Sequence, residues 1–248
     1  PRASIEWLEL HFKEAALHPE YALLSSYMAR TVASYYGNED HISMALYWAD
    51  VALQCLNDKH RSKEIYGSDL DYMASLQSCA VLQVRWLSLS DEILHWHKAK
   101  TIAKDMLSTA FPAIYVKDRN VRDGVSLGLM LIGIYNRLGA HTNARDLSTR
   151  IQQQAKEHQD IPTECRASFN WAISTLFLSK EQAVENKQEL SLQTLSSAIA
   201  VLKALHANSE WSKMLGSFST VVYEYAMFLE KRMLGLEVAQ AQRIIKNW

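Results

Sequence analysis

Apolar residues recur at helical spacing from the beginning of the chain. Ile5, Leu8 and Phe12 share one helical face, so they predict an amphipathic helix that ends before Pro19. Two longer apolar runs follow, with a polar break between them, and they predict a helical hairpin. These runs are residues 21–36 and 41–56.

The alternation of apolar runs and short polar breaks continues to the end of the chain. Capping residues mark the predicted helix starts at Ser68 or Asp69, Ser90, Thr142, Asp160, Ser191 and Asn208. Helix ends are predicted near Leu87, Phe111, Lys180, His206 and Leu234, and the helix that follows the 117–124 loop ends at Leu138. A loop is predicted at 117–124, and a short helix after Leu234. Only 8 Gly and 4 Pro occur, so we expect about eleven helices and no strands.

Alanine recurs near the start of the second helix in four predicted hairpins. These residues are Ala45, Ala99, Ala144 and Ala198, which lie 54, 45 and 54 residues apart. A side chain as small as alanine lets two helices approach closely. The recurrence therefore predicts a repeated helix–helix contact.

Residues 131–144 contain the most specific repeat signal. Tyr135, then Leu138-Gly139, then Ala144 resembles the core of a tetratricopeptide repeat. The resemblance implies an all-α, right-handed superhelix of stacked antiparallel hairpins, with residues 1–248 as a single domain. The spacing exceeds the family's 34 residues, so related helical-hairpin solenoids remain open.

Composition adds little about the partner. The 26 basic and 27 acidic residues balance, which argues against a nucleic-acid ligand. No apolar run approaches the roughly 18 residues of a membrane span, and the start lacks the basic and then apolar segments of a signal peptide. We expect a soluble protein without membrane insertion.

Because the chain begins with Pro rather than Met, we interpret it as a processed product or a fragment of a longer protein.

The three cysteines are widely separated and odd in number. Cys55, Cys79 and Cys165 each lie in an apolar run, which favours buried free thiols over a disulfide frame or a zinc site. The prediction is a reducing compartment, cytoplasmic or nuclear.

Residue patterns typical of catalysis or metal binding are sparse. Glu92 and His95 have the Glu-x-x-His spacing of di-metal bundles, but no second such pair completes a site. Asp69 and Asp71 diverge on a helix and are better interpreted as a cap. Most of the seven tryptophans lie at core spacing. We therefore expect no catalytic residue, no metal and no cofactor.

The tetratricopeptide resemblance also implies where a partner binds. First helices of the hairpins would line a concave groove, where polar side chains grip a partner polypeptide. The candidate contacts are Arg30, Ser34, Asn136, Arg137, Asn170 and Ser174. The expected function is a protein–protein interaction scaffold or adaptor, with the oligomeric state left open. The alternatives are a sensor domain of a peptide-responsive transcription regulator and an all-α enzyme with a small-molecule or metal site between helices.

Overall fold

The computed structural model describes residues 2–57, 69–109 and 121–234, and all regular structure in these ranges is helical. It contains eleven α-helices within them, and a single 3-10 turn at Pro19–Tyr21. The first six helices are α1 Arg2–Ala15, α2 Ala22–Asn38, α3 Ile42–Asn57, α4 Asp69–Leu89, α5 Ile93–Thr109 and α6 Val121–Arg137. The others are α7 His141–Glu157, α8 Ile161–Val184, α9 Gln188–Ala207, α10 Ser209–Leu215 and α11 Ser217–Met233. The all-α prediction is confirmed, and the right-handed superhelix stays a prediction.

The chain divides into two compact units, Pro1–Ile134 and Tyr135–Trp248. In the first unit α1 packs against α2, α2 against α3, α3 against α4 and α4 against α5, and α2 also contacts α4. Its core is built from small residues of α2 and α3 around the rings of Trp48 and Trp86. Tyr36 on α2 donates a hydrogen bond to the Glu9 carboxylate, 2.8 Å away, which ties α1 to this core.

In the second unit α7 packs against α8, α8 against α9, and α9 against α11. Its core clusters Phe169 and Leu176 of α8 with Leu195 and Leu202 of α9, and Ala226 of α11 joins them. Two buried serines bond α8 to α9. The Ser191 hydroxyl donates to the Ser179 carbonyl at 2.6 Å, and the Ser179 hydroxyl donates to the Ser191 carbonyl at 2.9 Å.

The four recurrent alanines are interior, as predicted. Ala45, Ala99, Ala144 and Ala198 are all fully buried. Ala198 belongs to the cluster that joins α8 to α9, and Ala45 to the cluster that joins α2 to α3. A larger side chain at these points would hold the helices apart.

Four pairs of consecutive helices are joined by the same three-residue turn. The connections are residues 39–41, 138–140, 158–160 and 185–187. In each, the middle residue has a positive φ, and the next amide donates to the carbonyl five residues back at 2.8 to 2.9 Å. This is the Schellman arrangement, which satisfies carbonyls at a helix end and reverses the chain. The middle residues are Asp40, Gly139, Gln159 and Asn186.

The helix boundaries correct several predictions. The long helix from Asn208 to Leu234 is two helices, because Gly216 adopts φ 65° and ψ −165°, a region that only glycine occupies readily. Thr142 is not a cap, since the preceding turn already starts α7 at His141 with Ala140 as its N-cap. The predicted loop 117–124 is wrong from Val121 onward, where α6 begins. α9 starts at Gln188, which leaves Ser191 inside the helix.

Two caps are confirmed, and three predicted features fall outside the described residues. The Asp160 carboxylate accepts from the Thr163 amide at 3.2 Å. The Asn208 side chain accepts from the amides of Glu210 and Trp211. Ser68, residues 117–120 and the short helix after Leu234 lie outside the described ranges. Within those ranges, no helix has the combined length and apolarity needed to cross a lipid bilayer.

Candidate partner-binding surface

In the first unit, the predicted contacts Arg30 and Ser34 lie one turn apart on α2. The Ser34 hydroxyl donates to the Arg30 carbonyl at 2.9 Å, so it is used within its own helix. The Arg30 guanidinium carbon lies 5.8 Å from the centre of the Tyr27 ring, a cation–π distance. Both predicted residues are half-buried. Of the two, Arg30 has the side chain that reaches an exposed neighbour.

In the second unit, Asn136 and Ser174 are bonded to each other. The Asn136 side-chain amide donates to the Ser174 hydroxyl at 3.0 Å, and Ser174 donates to the Asn170 carbonyl at 2.9 Å. Ser174 is fully buried and Asn136 is half-buried. These polar atoms join the end of α6 to the middle of α8, and the interpretation of Asn136 and Ser174 as partner contacts stays a prediction.

His141 extends this bonded group to the start of α7. Its ring nitrogen Nδ1 lies 3.2 Å from the Asn136 side-chain oxygen, which can only accept, so Nδ1 carries the proton. The other ring nitrogen lies 3.5 Å from the Glu181 carboxylate, and the ring stacks on Phe177. Burial lowers the pKa of His141, and the charge of Glu181 opposes that shift. These contacts connect the end of α6, the start of α7 and the middle of α8, which is a structural role.

Arg137 and Asn170 are the predicted contacts that remain at the surface of the second unit. Arg137 is exposed at the end of α6. Asn170 is half-buried, and its amide donates to the Arg166 carbonyl one turn earlier. Asn170 belongs to a stripe that runs the length of α8 with helical spacing. The other members of the stripe are Arg166, Ile173, Phe177, Lys180 and Val184.

Helix α11 carries apolar residues on two faces. One face packs into the core through Val222, Ala226, Leu229 and Met233. The other is an exposed stripe at i, i+3, i+7 and i+10, which lies about 90° around the helix from the first. Its members are Phe218 (60% exposed), Val221 (58%), Tyr225 (44%) and Phe228 (45%). A helix with two apolar faces is typical of one that packs on two sides.

Two contacts join the exposed stripe of α11 to α8. The Phe218 ring meets the edge of the Phe169 ring, with the centres 5.8 Å apart. The Lys180 ammonium donates to the Tyr225 hydroxyl at 3.3 Å and lies 5.8 Å from the centre of its ring. We call this continuous surface the α8–α11 face. It comprises Ile173, Phe177, Lys180, Phe218, Val221, Tyr225 and Phe228.

Reasoning from the sequence missed the α11 half of this surface. The spacing of Phe218, Val221, Tyr225 and Phe228 is readable along the chain. Spacing alone, however, does not distinguish an exposed stripe from a buried one, and the buried stripe of α11 has a similar period. One signal could have indicated it. Residues 217–233 contain more apolar positions than one face of a helix can hold, so some of them must lie outside the core contact.

The Glu92–His95 pair, which has the spacing of a metal-site fragment, lies at the start of α5. The His95 nitrogen Nδ1 lies 2.7 Å from the Ser90 hydroxyl, and Nε2 lies 3.5 Å from the Glu92 carboxylate. Ser90 also accepts from the Glu92 amide at 3.2 Å. The pair is thus part of a helix-capping group. Among the described residues no three His, Cys, Asp or Glu side chains converge, and the expectation of no metal stays a prediction.

The second unit thus presents a half-apolar surface, built on α8 and α11, with cationic side chains at its margins. No protein-family model, curated protein or solved structure matches the chain.

Proposed function

We propose that the chain binds a segment of another polypeptide on the α8–α11 face. The observation that carries the proposal is the second apolar stripe of α11, which is exposed although the neighbouring stripe already forms the core contact. Three aromatic residues in one exposed stripe are typical of a protein-binding surface rather than of scattered surface apolar residues.

The length and period of the stripe favour a helical partner. Phe218 and Phe228 are ten residues apart, which is about 15 Å along a helix. An amphipathic helix of three turns covers that distance and can place its own apolar residues between those of α8 and α11. The partner would supply the second layer that α11 lacks on this side.

The charges around the face favour an acidic partner. Arg166 and Lys180 lie on the α8 stripe, and Arg232 continues the α11 stripe beyond Phe228. In the part of the chain that the structure describes, none of the three has a carboxylate within 4 Å. Glu224 borders the α11 stripe, since it lies one turn from Val221 and from Phe228, and the three cations outnumber it. We infer that the partner carries acidic side chains beside its apolar stripe.

With such a surface, the proposed function is that of an interaction scaffold or adaptor. Buried free thiols at Cys79 and Cys165 support a reducing compartment, cytoplasmic or nuclear. The sensor-domain alternative is compatible with the same surface, because a regulator that responds to a peptide also binds a polypeptide segment.

The test uses a designed helical peptide with a leucine stripe flanked by glutamates, and its counterpart with lysines. We expect the glutamate peptide to bind more tightly, with an affinity that falls as salt rises. Val221→Glu with Phe228→Glu should weaken it at least roughly tenfold, about 1.4 kcal/mol. Leu190→Glu is the matched control, because Leu190 is equally exposed on α9 and lies outside the face. Circular dichroism checks that both variants fold.

Two results would contradict the proposal. One is a double variant that binds the glutamate peptide as tightly as the parent does. The other is binding of the peptide only after residues 235–248 are removed from the chain, since those residues and not a partner would then be the occupant of the face.

A further inference from the structure

A cleft of about 480 Å³ lies between α1 and the beginning of α2, in the first unit. The 3-10 turn Pro19–Tyr21 links the two helices at this end. The side chains that matter for its chemistry are Trp7, His11, Glu14, Tyr21, Leu24 and Tyr27. None of the residues that line the cleft is on the α8–α11 face, so an inference about the cleft does not depend on the proposed function.

Three aromatic rings that line the cleft are exposed to solvent. Trp7 is 57% exposed, Tyr21 48% and Tyr27 61%. Trp7 is thus an exception to the expectation that tryptophans pack in the core. Exposed aromatic rings that share one concave lining are a recurrent feature of ligand sites.

Contacts within the first unit hold the rings in place. The His11 ring stacks on Trp7 with the centres 3.9 Å apart, and its Nδ1 donates to the Trp7 carbonyl at 2.8 Å. The His18 ring meets Tyr21 edge-on at 5.8 Å. These contacts orient two of the rings before any ligand arrives, which reduces the entropy lost on binding.

The charge that faces the cleft is negative. Glu14 is the one carboxylate in its lining, and among the described residues no cationic group lies within 4 Å of it. Glu20, nearby in the chain, lies 3.3 Å from the His18 ring nitrogen. A carboxylate beside aromatic faces attracts a cation by two routes, the full charge and the ring quadrupoles.

Tyr27 already shows this preference within the protein. The Arg30 guanidinium carbon lies 5.8 Å from the centre of its ring. Because the hydroxyphenyl ring is largely exposed, it has surface left for another group. The apolar side chains of Leu24 and Met28 would contact the hydrocarbon part of such a ligand.

We infer that the α1–α2 cleft binds an organic cation, an ammonium group that carries apolar substituents. Trp7, Tyr21 and Tyr27 contact the substituents, and Glu14 balances the charge. The same chemistry is present in a free quaternary amine and in a methylated lysine side chain of a peptide.

The experiment compares choline with 3,3-dimethylbutan-1-ol, its neutral carbon analogue of the same shape. Binding is measured by titration calorimetry and by NMR shifts of the Trp7 indole. We expect choline to bind at least tenfold more tightly than the alcohol. Equal binding of the two would overturn the inference, since an apolar cleft without charge preference binds both alike.

Substitutions locate the site. Tyr27→Leu and Glu14→Gln should each weaken choline binding at least fivefold, and both positions are exposed, so folding is expected to persist. Glu6→Gln is the matched control on α1, because Glu6 pairs with Arg2 away from the cleft. Unchanged choline binding in both cleft variants would reject the site. A trimethyllysine peptide that binds more tightly than choline would support a protein-borne cation as its source.

Discussion

Trp86 on α4 packs its ring directly against the backbone of Gly37 in the last turn of α2. A methyl group at position 37 would overlap the Trp86 ring, which is itself buried and cannot move into solvent. Gly37 is thus required by a close approach between two helices. Gly133 on α6 differs, because no described atom lies within 4 Å of the place a methyl group would take.

These two glycines make a matched pair for a stability measurement. Gly37→Ala should lower the free energy of unfolding by about 1 to 3 kcal/mol through overpacking. Gly133→Ala should raise it by about 0.5 to 1 kcal/mol, since alanine restricts the unfolded chain and favours helix. Urea denaturation of both variants checks this. A Gly37→Ala chain as stable as the parent would show that Trp86 does not lie against α2.

The common three-residue turn is the feature that repeats most regularly at the level of elements. Its middle position has a positive φ, which costs a residue with a side chain about 1 kcal/mol relative to glycine. Gly139 suits the turn between α6 and α7, whereas Gln159 occupies the same position between α7 and α8 with φ 56°. Glycine is therefore missing at a turn where it would be favoured.

One substitution at each of these two turns tests the shared geometry. Gln159→Gly should raise the free energy of unfolding by about 0.5 to 1 kcal/mol, and Gly139→Ala should lower it by about 1 kcal/mol. The Gln159 side chain is exposed, so its removal leaves no cavity. Guanidinium denaturation measures both. A Gln159→Gly chain less stable than the parent would contradict the left-handed turn between α7 and α8.

At the scale of the whole molecule, the reactivity of one cysteine in each unit can report the unfolding of that unit. Cys55 lies in the first unit and Cys165 in the second, and burial raises the pKa of each thiol to about 11. At pH 8 about one such thiol in a thousand is ionised, compared with about a quarter for an unfolded cysteine. Only the thiolate reacts with a disulfide reagent.

Both cysteines should therefore react at least roughly 100-fold more slowly in the folded chain than in denaturant at pH 8. Mass spectrometry of the labelled peptides distinguishes the two sites at each denaturant concentration. If the units unfold separately, the two labelling transitions will differ in midpoint. Rapid labelling of Cys165 without denaturant would contradict its burial under α10.

The sequence by itself determined the helical class, the approximate extents of most helices and the burial of the recurrent alanines. These properties depend on local spacing, because residues three and four apart share a helix face wherever the helix packs. The cap at Asp160 and the Leu138-Gly139 turn were predictable for the same reason, since capping bonds join near neighbours in the chain.

Only the tertiary structure decided which apolar stripe of α11 is buried, and that Asn136 and Ser174 bond to each other. Both stripes of α11 have a period that suits a helix, and Ala226 is covered whereas Tyr225 is exposed because α9 lies on one side only. Asn136 and Ser174 are 38 residues apart. Their bond depends on how residues 135–137, at the end of α6, lie against α8, and such long-range contacts follow from the folded arrangement rather than from local pattern.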